Sequence, residues 1–308
     1  MTKKKKITYK DLVILITSLK PNNNLYKTLN SIISQRVQGL KVIVSYPLQF
    51  KDLEFEDKYK HKVKFVNAKK SNQIHQRNLG IKKIKNKKII LNLDDSIILK
   101  KNCLKELLNI WSDNYHKDIV GIGLNPVGQR KPKANIFQKL SLTNSDHEGI
   151  ILPSGYAIGW NQQSKNYYTE WLNGGMTSWN LKKVMFIKNR KFPMVKWCVS
   201  EDVIFSFLNS KKKKLLISSK AKAKILDKEN KFNSLSSSFY HGYMHSKMTH
   251  SFKRFLDKKK YYLYFYATIS SSIFGIIKSL IKLNIKEIAR FIGRFIGIFT
   301  FFPKSNFL

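Results

Sequence analysis

The chain has 308 residues, 43% apolar and 13% aromatic. That is enough for the packed core of one large domain, or a domain with an appendage, and too apolar for a disordered chain. Lys and Arg number 58 against 19 Asp and Glu, a formal net charge of +39, which suits partners that carry phosphate: nucleotides, nucleic acid or an anionic membrane surface. Lys, Asn, Ile and Phe are abundant together, as AT-rich coding gives without a selected partner, so the scarce carboxylates are the more informative residues. Two cysteines, Cys103 and Cys198, exclude a disulfide scaffold and a four-cysteine zinc site. The basic start Met1 to Lys6 is followed by a short apolar run, Leu12 to Leu19, that meets Lys20-Pro21-Asn22 without a small-residue cleavage site. It reads as a buried strand, not a secretory signal.

Leu12 to Ile16 is continuously apolar, the pattern of a strand covered on both faces. A turn at Pro21 to Asn24 leads to a helix with Leu25, Leu29, Ile32 and Ile33 on one face. Val42 to Val44 and Val63 to Val66 are the next strands. Ser71 or Asn72 can cap a helix to about Lys85, and the strand Lys88 to Leu93 stops abruptly at Asp94-Asp95-Ser96. A helix from about Lys101 to Trp111 precedes the strand Ile119 to Ile122. This alternation predicts an α/β fold with mainly parallel central strands.

From about Leu124 to Tyr168 the pattern lapses, predicting loops or short elements over one sheet edge. Helices are predicted near Asn180 to Lys188 and Glu201 to Asn209, with a strand at Lys214 to Ser218. At the C-terminus, Tyr261 to Ile277 carries no charge but is at the short limit for a membrane span. Lys278, Lys282, Lys286, Arg290 and Arg294 then recur every four residues beside a broad apolar face. This predicts a helix lying in an anionic membrane interface; the alternative is a helix packed on the protein core with its lysines in water.

Asp94 and Asp95 end a strand, where open α/β sheets bind ligands. Two adjacent carboxylates there repel unless a cation or donors lie between them, which suits a divalent metal with a phosphate ligand; a turn and helix cap is the alternative. Glu201-Asp202 reads either as chemistry or as first-turn acids favoured by the helix dipole. Gly174-Gly175 is a tight turn or a point of close backbone approach. Trp171 and Trp179 flank this turn and could stack on a ligand or belong to the core.

The order Arg77-Asn78-Leu79-Gly80, Asp94-Asp95, Gly174-Gly175, Glu201-Asp202, behind a first strand and Pro/Asn turn, resembles the inverting glycosyltransferases of family 2 over about residues 10 to 225. The resemblance implies a GT-A fold: a mixed, mainly parallel sheet flanked by helices, with a Rossmann-like nucleotide-binding half. Residues 1-230 would form this domain, with the nucleotide part at about 8-123 and the acceptor part at about 124-230. Residues 231-308 would form a helical, basic amphipathic, membrane-associating region.

By the same resemblance Thr17, Arg77, Asp94, Asp95, Gly174 and Gly175 would bind the nucleotide sugar. Asp95 would hold a divalent metal (Mg2+ or Mn2+), Asp202 would act as general base, and Glu201 would orient the acceptor or the base. The implied activity is metal-assisted transfer of a sugar from a nucleotide diphosphate to a saccharide or lipid-linked acceptor in cell-envelope polysaccharide synthesis, in the cytoplasm at the inner face of the plasma membrane, with no nucleic acid involved. Three positions depart from the pattern: Val44-Ser45-Tyr46-Pro47 lacks the base-reading acid, Ser96 replaces the third aspartate-motif residue, and Ala223 to Asp227 has no histidine, although His241 and His245 follow. A transferase-fold scaffold without turnover and a basic nucleic-acid binder remain the alternatives. A sugar-phosphate nucleotidyltransferase would need a Gly-rich loop after the first strand, and Thr17 to Asn24 has no glycine.

Overall fold

In a computed structural model, which describes residues 6–129, 131, 133–185, 199–226 and 234–306, the first apolar run is strand β1 (Leu12–Thr17), buried along its whole length. The Pro/Asn turn gives way to helix α1 (Asn23–Ile33), whose first turn is closed by Asn22 Oδ1 accepting the Leu25 N–H. Strand β2 (Lys41–Pro47) is followed by α2 (Leu53–Tyr59), a short helix that places Phe55 and Tyr59 in the core and has too few turns for a periodic signal. Next come β3 (Val63–Ala68), α3 (Gln73–Lys82), capped by Asn72, and β4 (Ile89–Asp94). Then β5 (Ile97–Leu99), α4 (Cys103–Asn114) and β6 (Ile119–Pro126) complete the alternating half.

Among the described residues the sheet has nine strands. Its order is β3-β2-β1-β4, followed by β8 (Met176–Asn180), β6, β9 (Lys214–Ile225) and β5, with β7 (Tyr167–Thr169) also on β9. Strands β1 to β4, β6 and β9 share one direction; β5, β7 and β8 oppose it. The sheet is thus mixed and mainly parallel, as the sequence predicts. Progression reverses between β1 and β4, and at this reversal Thr17 lies beside Ser45 on one side and Asp94 on the other.

Residues Met176–Asn180 correct one expectation. They form a fully buried antiparallel strand, and Asn180 ends it instead of starting a helix; residues 186–188 of the predicted helix lie outside the described residues. The strand is polar because its hydroxyls are paired internally. Ser178 Oγ accepts from Trp111 Nε1 at 2.8 Å and donates to the Ile122 carbonyl at 2.9 Å, and Thr177 Oγ1 accepts from Trp179 Nε1 at 3.1 Å. Of the cysteines, Cys103 is buried, which raises its thiol pKa, and Cys198 lies outside the described residues.

The chain divides into two units. The sheet belongs to the first: Met1–Arg130, Asn161–Asn189 and Ser206–Asp227. The second comprises Lys131–Trp160, Arg190–Phe205 and Lys228–Leu308. It contains α5 (Ile136–Leu140), the start of α6 (Glu201–Ser210), α7 (Leu235–Ser251), α8 (Tyr262–Ile281) and α9 (Ile285–Gly297). Helices α7 and α9 touch backbone to backbone. A Cβ on Gly242 would sit 1.9 Å from the Arg290 carbonyl oxygen, and one on Gly293 would sit 2.1 Å from that of Phe239.

The basic repeat from Lys278 to Arg294 does not form one stripe. Helix α8 stops at Ile281, Leu283 takes a left-handed conformation, and Asn284 caps α9. Lys278, Lys282 and Lys286 are exposed, whereas the Nε atoms of Arg290 and Arg294 are buried. The Arg294 guanidinium stacks on the rings of Tyr156 and Phe291.

Candidate active site

The carboxyl ends of β1 and β4 gather six of the residues singled out from the sequence. Asp94 is the last residue of β4 and is half-buried; its Oδ1 accepts from Gln73 Nε2 at 2.8 Å and from Arg77 at 3.3 Å. Gln73 and Arg77 are one turn apart on α3, so the capped start of that helix sets both donors on one face. Gln73 also approaches Thr17 Oγ1 at 3.5 Å.

Asp95 is held from the other side. Its Oδ2 accepts from Ser18 Oγ at 2.6 Å, and its carbonyl accepts from Thr28 Oγ1 at 2.9 Å. Ser18 is itself fixed, donating its N–H to the Ser45 carbonyl and accepting from Gln76 Nε2 at 2.8 Å. Each of the adjacent carboxylates therefore has its own donors: Arg77 and Gln73 on Asp94, Ser18 on Asp95.

Gly174-Gly175 lies at the start of β8. The Asp94 N–H donates to the Gly175 carbonyl at 2.8 Å, extending the β4–β8 ladder, and Asn173 Oδ1 accepts the Gly175 N–H at 3.0 Å. A Cβ on residue 175 would fall 2.2 Å from Asp94 Oδ2. Glycine is needed there to make room for the aspartate, in addition to any approach by a ligand.

Other candidates have structural duties. Trp179 is buried under the sheet, so it is not a surface for a sugar to stack on. Ser96 is buried, and its carbonyl accepts from the Leu226 N–H. Ser45 Oγ is buried without a hydrogen-bond partner among the described residues. His241 and His245 lie on α7 in the second unit; burial and the nearby Arg290 and Arg294 push the His241 pKa down to about 4 and hold His245 well below the usual imidazole value.

Glu201 and Asp202 open α6, also in the second unit, directly after Ser200, whose φ of 65° places it in the left-handed region. Such a backbone precedes a sharp change of direction and costs strain in a serine. Asp202 Oδ1 accepts the N–H of Val203 at 2.9 Å. One turn later, within the first unit, Ser206 Oγ accepts the Leu172 N–H at 3.0 Å.

No group of three or more His, Cys, Asp or Glu side chains among the described residues could hold a metal by itself. The donor set is two hard carboxylates, one of them already engaged by an arginine. That suits a small divalent ion bound through one or two carboxylates with phosphate oxygens and water completing its shell, so Asp95 and its neighbour fit the group that the sequence implied.

Ser18, Thr28 and Gln73, which hold the two aspartates, and Gln76, which fixes Ser18, are given no role by the sequence. Their only signal is position: Ser18 directly follows the first strand, and Gln73 and Gln76 sit in the first turns of the helix that carries Arg77.

No protein-family model matches the chain, and no curated protein matches it in sequence. Solved structures match it in fold. One is the crystal structure of GalNAc-T7 with UDP, GalNAc and Mn2+, at 11% identity and a TM-score of 0.53, covering 84% of this chain and 56% of that one. Another is TarS 1–349 of S. aureus, at 13% identity and a TM-score of 0.54, covering 94% of this chain and 80% of that one. The nine-stranded sheet, its reversal at β1 and β4 and this likeness together give the chain the GT-A-like fold of glycosyltransferases.

Proposed function

We propose that the chain is an inverting, family 2-type glycosyltransferase that moves a sugar from a nucleotide diphosphate to a saccharide or lipid-linked acceptor of the cell envelope. The observation that carries this reading is the Asp94-Asp95 pair, fixed by Arg77, Gln73 and Ser18 at the carboxyl end of β4 in a GT-A-like sheet. The GalNAc-T7 structure with UDP and Mn2+ supports a nucleotide and a divalent ion at such a site.

Asp95 would hold Mg2+ or Mn2+, which when bound neutralises charge on a departing diphosphate. Thr17 and Asp94 line the nucleotide side. Arg77 holds Asp94 in place, and Gly174-Gly175 leaves the backbone open to the donor. Asp202 takes the proton from the acceptor hydroxyl as it attacks the anomeric carbon from the face opposite the diphosphate, giving inversion in one displacement. Glu201 orients the acceptor or the base. The reaction runs in the cytoplasm at the inner face of the plasma membrane, which the chain meets peripherally through its C-terminal helices.

The test is turnover of a panel of nucleotide sugars by the wild-type chain and by Asp202→Asn. The variant should lose at least about a hundredfold in transfer, the scale of a general base, while keeping donor binding. Full activity in the variant removes Asp202 from the mechanism. A second reading, a transferase-fold scaffold without turnover, draws on Ser96: it is buried, so the aspartate motif has no third oxygen facing a ligand. Donor binding without turnover in the wild-type chain would favour it.

A further inference from the structure

The second unit exposes more apolar side chain than its basic repeat accounts for, and part of it comes from outside the C-terminal helices. Helix α5 buries none of its residues and presents Ile136, Phe137 and Leu140, each more than half exposed. It is continuous with α8: the Phe137 and Phe274 rings lie 5.3 Å apart, and Tyr266 Oη donates to the Leu140 carbonyl at 3.0 Å. On α8 the exposed Tyr262, Tyr266, Ile269, Ile273, Ile277 and Leu280 recur at spacings of three and four, so they share one face of a 20-residue helix. A surface of this kind is larger than scattered apolar residues explain and marks an interaction site.

We infer that α5 and this outer face of α8 together form one docking surface that lies in the interface of a bilayer containing anionic lipid. Charge selects the occupant. Lys258, Lys259 and Lys260 precede α8, Lys278 and Lys282 stand at its far end, and Lys133 flanks α5, all exposed. Such a basic rim around an apolar face, with tyrosines toward one end, matches a headgroup layer over acyl chains. A second copy of the chain is opposed by a net charge of +39 on each molecule.

Helix α8 is long and apolar enough to cross a membrane, but its other face is already used. Tyr264, Ala267, Thr268, Ser272 and Ser279 are buried within the unit, and Thr268 shares a hydrogen bond with Tyr156. Its partner α5 itself carries Lys139, which is ion-paired with Asp146. The helix therefore lies along the interface and does not pass through it. Arg290 and Arg294, turned toward α7, take no part.

The surface stands independently of the transfer chemistry, because flotation of the full chain with vesicles reads no turnover. With phosphatidylcholine vesicles containing phosphatidylglycerol the chain should float, and omission of phosphatidylglycerol or addition of salt should reduce binding about tenfold. The exposed pair Phe137→Glu with Phe274→Glu should also lose about tenfold or more while keeping the wild-type thermal melt. A Phe274→Trp variant should be quenched by brominated acyl chains. Four results would overturn the inference: flotation unchanged in the double variant, no quenching, self-association in place of vesicle binding, or retention in the membrane after alkaline extraction.

Discussion

The two units bury different things. In the sheet, β1 and β4 fill the core with Leu, Ile and Val, and neighbouring strands are paired along their backbones. In the helical unit, α7 buries Ser238, Gly242, Ser246, Thr249, His250 and Ser251 around Met244 and Met248. There the contact is made by close backbone approach and paired polar groups: Ser246 Oγ lies 2.7 Å from Tyr264 Oη, and His250 bridges the Thr300 carbonyl and Tyr261 Oη. A core of large aliphatic side chains announces itself in sequence, whereas a core of small and polar ones does not. The two kinds of core should also fail differently.

The largest effect should come from the aliphatic core. Leu91 is fully buried in β4, and Leu91→Ala should cost about 3–4 kcal/mol in denaturant unfolding through lost burial and a cavity. A cost below about 1 kcal/mol would mean that the sheet core is looser than described. The helical unit should fail by crowding instead. Gly242→Ala, which places a methyl against the Arg290 carbonyl, should cost about 2–3 kcal/mol. If it is neutral or stabilising, as alanine is in an open helix, α7 and α9 are not in backbone contact.

Gly175→Ala brings the crowding argument to the proposed active site. The added methyl meets the Asp94 carboxylate, so stability should fall by roughly 1–3 kcal/mol and nucleotide affinity should fall with it. Unchanged nucleotide binding would detach Asp94 from the donor site.

The smallest effect is a pH dependence carried by His241 in the helical unit. The folded His241 pKa is depressed to about 4, below the ordinary imidazole value of about 6.5. The unfolded chain therefore gains a proton that the folded chain does not as pH falls through that interval, and stability is lost between about pH 6.5 and 4 and levels off below. After screening at a partly exposed site this amounts to roughly 1–2 kcal/mol, and His241→Gln should flatten it. A variant with the wild-type pH slope would assign the loss to other groups.

The same contrast explains what could be read beforehand. The strands of the alternating half were legible because their apolar runs are uninterrupted, and Asp94-Asp95 stood out as the place where one such run stops. Strand β8 is not legible as a strand, and its last residue, Asn180, reads as the start of a helix, because Thr177 and Ser178 satisfy their hydroxyls inside the sheet. Ser18 and Gln73 do not stand out in the sequence because a polar residue after a strand or in a first helical turn has many ordinary uses. The repeat from Lys278 to Arg294 looked like one stripe because spacing alone cannot show that Leu283 breaks the helix.

The most direct test of a nucleotide-sugar site at Asp94-Asp95 is a thermal-shift panel of UDP, GDP, CDP and dTDP, each with and without manganese, on the wild-type chain and on Asp95→Asn. A ligand at a hundred times its dissociation constant adds about 2.7 kcal/mol. One nucleotide should raise the melting temperature of the wild-type chain in a manganese-dependent way, with the manganese-dependent part lost in Asp95→Asn. A folded wild-type chain that shifts with none of them, or a variant that shifts as the wild type does, would contradict the assignment.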